Sequence, residues 1–128
     1  MSDKHGMVWW TELMTRDVAG ARAYYEKICG WTFETMPIEE GDYHLGKRGD
    51  VMTIGMMDMT GMPGLDEVPA HWFSYFAVDD VDAAVAETTA LGGEVRRPPF
   101  DVPGVGRIAI VADPTGAAMG LMTPADQG

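Results

Sequence analysis

The feature that most limits what this 128-residue chain can fold into is an internal repeat. Residues 8–17 align without a gap on residues 71–80, so that Trp9 falls on Trp72 and Asp17 on Asp80, 63 positions apart. The same spacing joins Val18 to Val81, Ala21 to Ala84, Ala23 to Ala86 and Gly30 to Gly93. Single matches of this kind arise by chance. An ungapped run that keeps the same order of residue classes does not.

Each half reads alike in physical terms. An apolar run rich in Trp, Phe, Val and Tyr suits a pleated strand. Asp17 and Asp80 then predict helix N-caps, because a carboxylate there accepts orphan backbone N–H groups. Val18, Ala21, Tyr25 and Ile28 in one half, and Val81, Ala84, Thr88 and Leu91 in the other, step by three and four and predict one face of a helix. Gly30 and Gly93 are the expected helix stops. Strands are expected over 31–36, 42–47 and 51–58, and again over 94–97, 106–112 and 117–122. Asp113-Pro114-Thr115-Gly116 reads as a tight turn. The Pro- and Gly-rich stretch 61–69 reads as the linker. The expectation is an α+β fold forming a single domain over 1–128, with βαβββ modules at about 7–60 and 70–124 whose sheets pair.

Composition agrees with a packed domain: 46% of residues are hydrophobic and 23% charged. Cys29 is the only cysteine, which excludes an internal disulfide and a cysteine-based zinc site. The net charge of −11 argues against nucleic acid, whose phosphates need clustered Lys and Arg. It leaves open whether the acidic surface serves solubility or attracts a cationic ligand. No run is apolar for long enough to span a membrane, and the opening residues do not read as a signal peptide, so a cytoplasmic protein is expected.

The segment from Glu12-Leu13-Met14-Thr15-Arg16-Asp17 through Ala23-Tyr24-Tyr25 to Gly30-Trp31 resembles the first module of the vicinal-oxygen-chelate superfamily. This is the group of the glyoxalases, bleomycin-resistance proteins and extradiol dioxygenases. Phe76-Ala77-Val78-Asp79-Asp80-Val81 resembles the opening of its second module, and Asp113-Pro114-Thr115-Gly116 the turn into its last strand. The resemblance implies two sheets forming a cup, a small-molecule ligand and a homodimer. In metal-using members four strand positions supply His, Gln or Glu to a divalent ion. Carried over by these motifs, the positions are Trp10, Phe73, Gly120 and one near Gly55. Indole, phenyl and glycine offer no lone pair to a metal, so neither a metal nor another cofactor is expected.

Strand alternation places Val8, Trp10, Glu12 and Met14 on one face, and His71, Phe73, Tyr75 and Ala77 on the equivalent face. Trp10, Phe73 and Tyr75 are candidate ligand-binding residues for a planar or apolar molecule, or else fill the former cavity as core. Glu12, a carboxylate in mid-strand, is a candidate general base or an anchor for a cation; otherwise it pairs with an arginine. His71 is a candidate catalytic partner or a capping residue. Arg107 is a candidate anion site, or the partner of a carboxylate such as Glu12. Met52, Met56, Met57, Met59 and Met62 form a cluster in which Met57 is a candidate lining residue. One of Tyr43 and His44 must face inward. His5 is expected in a frayed terminus, and Cys29 as a buried, inert thiol. The leading reading is a metal-independent binding protein for an aromatic or cationic small molecule. A metal-free lyase or isomerase with Glu12 as base comes second, and a metalloenzyme with ligands such as His71, Glu12 and His44 third.

Overall fold

The computed structural model describes residues 2–38 and 41–125; Met1, positions 39–40 and the last three positions of the expected domain lie outside the described residues. The order of elements is β1 (Val8–Thr15), α1 (Val18–Cys29), β2 (Thr32–Ile38), β3 (Gly41–Arg48) and β4 (Val51–Asp58). It continues with β5 (His71–Ala77), α2 (Val81–Ala90), β6 (Glu94–Val102), β7 (Gly106–Ala112) and β8 (Ala118–Pro124). The βαβββ pattern therefore occurs twice, as expected. Two compact units result: Trp10–Trp72, the amino-terminal unit, and Met1–Trp9 with Phe73–Gly128, the carboxy-terminal unit.

In the amino-terminal unit β1 runs parallel to β4, and β4, β3 and β2 follow antiparallel. Leu13, Ile54, Met56 and Met59 are buried there. The carboxy-terminal unit repeats this order, with β5 parallel to β8 and then β7 and β6 antiparallel. Its core includes Ala77, Val81, Val111 and Leu121.

The register shows how the repeat is kept. Glu12 lies opposite Gly55, and Tyr75, the repeat partner of Glu12, lies opposite Gly120. Gly55 and Gly120 are thus structural counterparts, now 65 positions apart. The edge strand β6 differs from its counterpart β2. Its nine residues oppose the seven of β7, with register shifts on either side of Arg97 and Pro98-Pro99 at the second, whereas β2 matches β3 residue for residue.

Both N-caps form. Asp17 Oδ1 accepts from Gly20 N at 2.8 Å and Asp80 Oδ1 from Ala83 N at 3.1 Å. Gly30 adopts the left-handed conformation (φ 71°) that ends α1. The second stop is shifted by one residue from expectation: Gly92 has the positive φ of 94°. Gly93 is required for another reason, since a Cβ there would stand 2.6 Å from the Ala112 carbonyl oxygen. The predicted helix faces hold only in part. No residue of α1 is fully buried and Ile28 is 63% exposed, while Val81 of α2 is buried and Leu91, which caps its end, is exposed.

The linker is pinned rather than loose. The Arg16 guanidinium donates to the carbonyls of Val68, Leu65 and Asp66. The start of the chain is likewise tied down, against expectation, because Asp79 N donates to His5 Nδ1 and Ser2 Oγ bonds the Asp79 carboxylate. Among the described residues no helix is long and apolar enough to cross a membrane. Cys29 is half-buried.

Candidate functional site

Strand β1 carries Trp10 and Glu12 two residues apart, hence on one face. Glu12 is 6% exposed, an unusual position for a carboxylate. Its partner comes from β3, where Tyr43 faces the same way and His44 the other. Trp10 Nε1 donates to Tyr43 Oη at 2.8 Å, and Tyr43 Oη donates to Glu12 Oε1 at 2.8 Å. The direction of this chain is forced. An indole can only donate, so the phenol oxygen must accept from it and pass its single proton on to the carboxylate. Burial, reinforced by the neighbouring Glu12 charge, holds the Tyr43 hydroxyl far above the usual phenol range, so it stays protonated.

Gly55 makes this arrangement possible. A Cβ at that position would fall inside the Tyr43 phenol group and 3.0 Å from Trp10 Nε1. Met57, two residues on along β4, is in register with both Tyr43 and Met14 and is half-buried. Trp10, Glu12, Tyr43, Gly55 and Met57 therefore form one surface of the amino-terminal unit.

The carboxy-terminal unit has a related but plainer surface. Phe73 and Tyr75 meet edge to face, with centroids 5.4 Å apart. A Cβ on Gly120 would fall inside the Tyr75 ring. Tyr75 stands where the other unit has Glu12. By the register of β7 against β8, buried Ile108 stands where the other unit has Tyr43. Among the described residues, the positions equivalent to Glu12 and Tyr43 thus hold no hydrogen-bonded carboxylate in this half.

The remaining candidates make other contacts. His71 begins β5, where its Nδ1 is 2.8 Å from the Pro69 carbonyl oxygen. Arg107 does not pair with Glu12. It makes two bonds to Asp82, at 2.8 and 3.1 Å, and an ion pair with Asp101 at 3.1 Å. These carboxylates satisfy the guanidinium on the surface of its own unit. Tyr43 was the residue that sequence reasoning left undecided against His44. The signal that settles it is Gly55, which leaves room for a large side chain from the adjacent strand.

The four positions at which the resemblance places divalent-ion ligands now have firm registers. They are Trp10 and Gly55 in one unit, Phe73 and Gly120 in the other. They carry an indole, a phenyl and two glycines, and the space beside the glycines is taken by the Tyr43 hydroxyl and the Tyr75 ring. These residues do not fit a divalent ion held in the family manner. Among the described residues, no three His, Cys, Asp or Glu side chains stand close enough to hold a metal.

Comparison with known proteins agrees with this architecture. Residues 8–120 match the model of the Glyoxalase/Bleomycin resistance protein/Dioxygenase superfamily. "Putative glyoxylase CFP32" of Mycobacterium tuberculosis is 44% identical over 123 residues, covering 95% of this chain and 46% of the relative. "Anthracycline biosynthesis protein DnrV" of Streptomyces peucetius is 34% identical over 123 residues, covering 88% and 45%. The chain thus spans about half the length of the curated relatives it matches. Among solved structures, methylmalonyl-CoA epimerase from Mycobacterium tuberculosis superposes with a TM-score of 0.69 at 16% identity, over 99% of this chain and 94% of that one. The Streptomyces coelicolor epimerase gives 0.69 at 18%, over 95% and 99%. At such identities these likenesses speak for the fold alone. By its repeated βαβββ modules, its registers and the matching family model, the chain belongs to the Glyoxalase/Bleomycin resistance protein/Dioxygenase superfamily.

Proposed function

We propose that this protein binds a small aromatic or cationic molecule without the divalent ion used by metal-dependent members of its family. The observation that carries this reading is the pair Gly55 and Gly120. At both positions a ligating side chain is missing, and an aromatic residue of the same unit fills the space. The first unit offers an indole edge, a phenol and a carboxylate, which together suit a ring bearing a positive charge. Tyr43 holds one carboxylate oxygen of Glu12, so the anion is oriented before a ligand arrives. The name of the Streptomyces peucetius relative supports the aromatic part of this reading, since an anthracycline is a fused-ring aromatic compound.

A metal-free lyase or isomerase with Glu12 as base is the second reading. A buried carboxylate joined to a protonated phenol favours it, because such a pair can take a proton and keep hold of it. By family likeness the working form is proposed to be a homodimer.

The test combines elemental analysis with thermal shift on the purified protein. Daunorubicin, a fused-ring aromatic compound that carries a protonated aliphatic amine, is expected to raise the melting temperature of the native protein, and Glu12→Gln is expected to remove most of that shift. Stabilisation by aromatics of either charge that survives Glu12→Gln would remove Glu12 as the anchor. One tightly held divalent ion per chain, lost on replacing Glu12 or His71, would overturn the metal-free reading.

A further inference from the structure

The amino-terminal unit holds a concave region on the sheet face opposite Glu12. It lies between α1 and strands β3 and β4, with a volume of about 730 Å³. That is within the range of ligand sites, about 300–1,000 Å³. Val18, Arg22 and Glu26 contribute from successive turns of one helix face, and Asp42, His44 and Asp58 from the strands.

The repeat shows how such a space is normally closed. In the carboxy-terminal unit Arg22 corresponds to Val85, His44 to Ala109, Asp58 to Thr123, Asp42 to Arg107 and Ala19 to Asp82. There Val81 and Ala109 are buried. Thr123 Oγ1 accepts from Val81 N and donates to the Val78 carbonyl, tying the strand to the start of α2. Arg107 reaches Asp82 on α2 and closes the edge. The amino-terminal unit has replaced these devices with charged and polar groups, and a cleft remains.

The charges in the cleft do not meet. The Arg22 guanidinium lies 5.1 Å from the Phe33 ring centroid. Among the described residues it forms no ion pair with Glu26, Asp42 or Asp58, although all of them line the same cleft. Two other arginines and a lysine do pair with carboxylates: Lys47 with Glu34, Arg96 with Glu94 and Arg107 with Asp82. What sets Arg22 apart is its place: it lines the same open volume as Glu26, Asp42 and Asp58 and, among the described residues, is paired with none of them. His44 is kept largely uncharged at neutral pH, by partial burial and by the nearby Arg22, and Thr35 Oγ1 lies 3.0 Å from its Nδ1. The cleft thus presents one fixed cation, a neutral imidazole and several carboxylates, with Val18, Ala19 and Ala23 between them.

We propose that this cleft is a binding site for an amphoteric small molecule, a free amino acid with an apolar side chain, bound independently of the Glu12 surface. Its carboxylate would pair with Arg22 and its ammonium group with Asp58 and Asp42, joining charges that the protein leaves apart. The apolar residues of α1 would receive its side chain.

The experiment is calorimetric titration of the full chain carrying Glu12→Gln, which removes the proposed cation anchor of the other surface. The titrants are L-phenylalanine, beside 2-phenylethylamine and 3-phenylpropanoate, which each carry one of its two charges. Saturable binding of L-phenylalanine is expected, with each single-charge analogue weaker by about tenfold, the scale of one charge-assisted contact. Arg22→Met and Asp58→Asn should each weaken binding to a similar degree, while Arg22→Lys restores part of it. His44 ring resonances should shift on titration. Glu12→Gln should leave L-phenylalanine binding intact even where it abolishes binding of an aromatic amine. Absence of saturable binding overturns the proposal. So does equal binding of 2-phenylethylamine, which would mark a simple cation site, or binding that survives both Arg22→Met and Asp58→Asn.

Discussion

At the scale of single residues, the molecule turns on Tyr43 and the glycine beneath it. The phenol is both acceptor for Trp10 and donor to Glu12, so Tyr43→Phe removes a hydrogen bond from each of two polar groups at once. Leaving buried groups unsatisfied costs about 1–3 kcal/mol, and chemical denaturation should show a loss of that order. Gly55→Ala should destabilise by a comparable amount, because the new methyl group enters the space of the phenol. The two costs must be coupled: in a Tyr43→Ala background, where only the 3.0 Å approach to Trp10 Nε1 remains, Gly55→Ala should cost clearly less. Additive losses would show that Tyr43 does not sit over Gly55. Alkali provides a further check. The folded state raises the Tyr43 pKa above its unfolded value of about 10, so it binds the proton more tightly than the unfolded chain does. The resulting stability is complete below about pH 10 and is lost as pH rises beyond it. Tyr43→Phe should flatten the alkaline limb of the stability curve, measured by denaturation at several pH values.

At the scale of elements, the helix boundaries were legible because each is set by local chemistry. Asp17 and Asp80 cap their helices as a carboxylate before an apolar helix face predicts, and Asp17→Ala should cost about 1 kcal/mol in thermal denaturation. Gly30→Ala should cost about 1 kcal/mol as well, since only glycine takes a φ of 71° without strain. What the sequence hid was the direction of each helix face. Spacing alone favoured Val18, Ala21, Tyr25 and Ile28, yet Arg22 joins Val18 in lining the cleft over the sheet, and Ile28 lies in solvent. Helical periodicity identifies a face, but not whether a cleft or a core lies beneath it. Strand β6 escaped in a different way. The strand was expected over 94–97, whereas it continues to Val102 by carrying Pro98 and Pro99 through register shifts.

At the scale of the whole molecule, duplication was readable and the division of labour between the copies was not. An ungapped offset is a property of the string, and it led directly to the doubled βαβββ order. The contrast between Glu12 with Tyr43 in one unit and Tyr75 with Ile108 in the other needs strand register, because the offset between counterparts grows from 63 to 65 along each module. Glu12 was identifiable as a mid-strand carboxylate. Its tyrosine partner comes from a strand some 30 residues away and could not be paired with it by spacing. Sedimentation equilibrium at micromolar concentration is expected to give twice the mass of one chain. A monomer across that range would remove the homodimer from the proposed working form.

The irregular β6 also governs how such chains can join. A strand seeking a partner needs an uninterrupted row of backbone donors and acceptors, and the proline pair and shifted register deny it one along β6. An edge broken in this way is a poor template for a second chain, and the register shifts of β6 thereby guard that strand against the open-ended pairing that builds fibres.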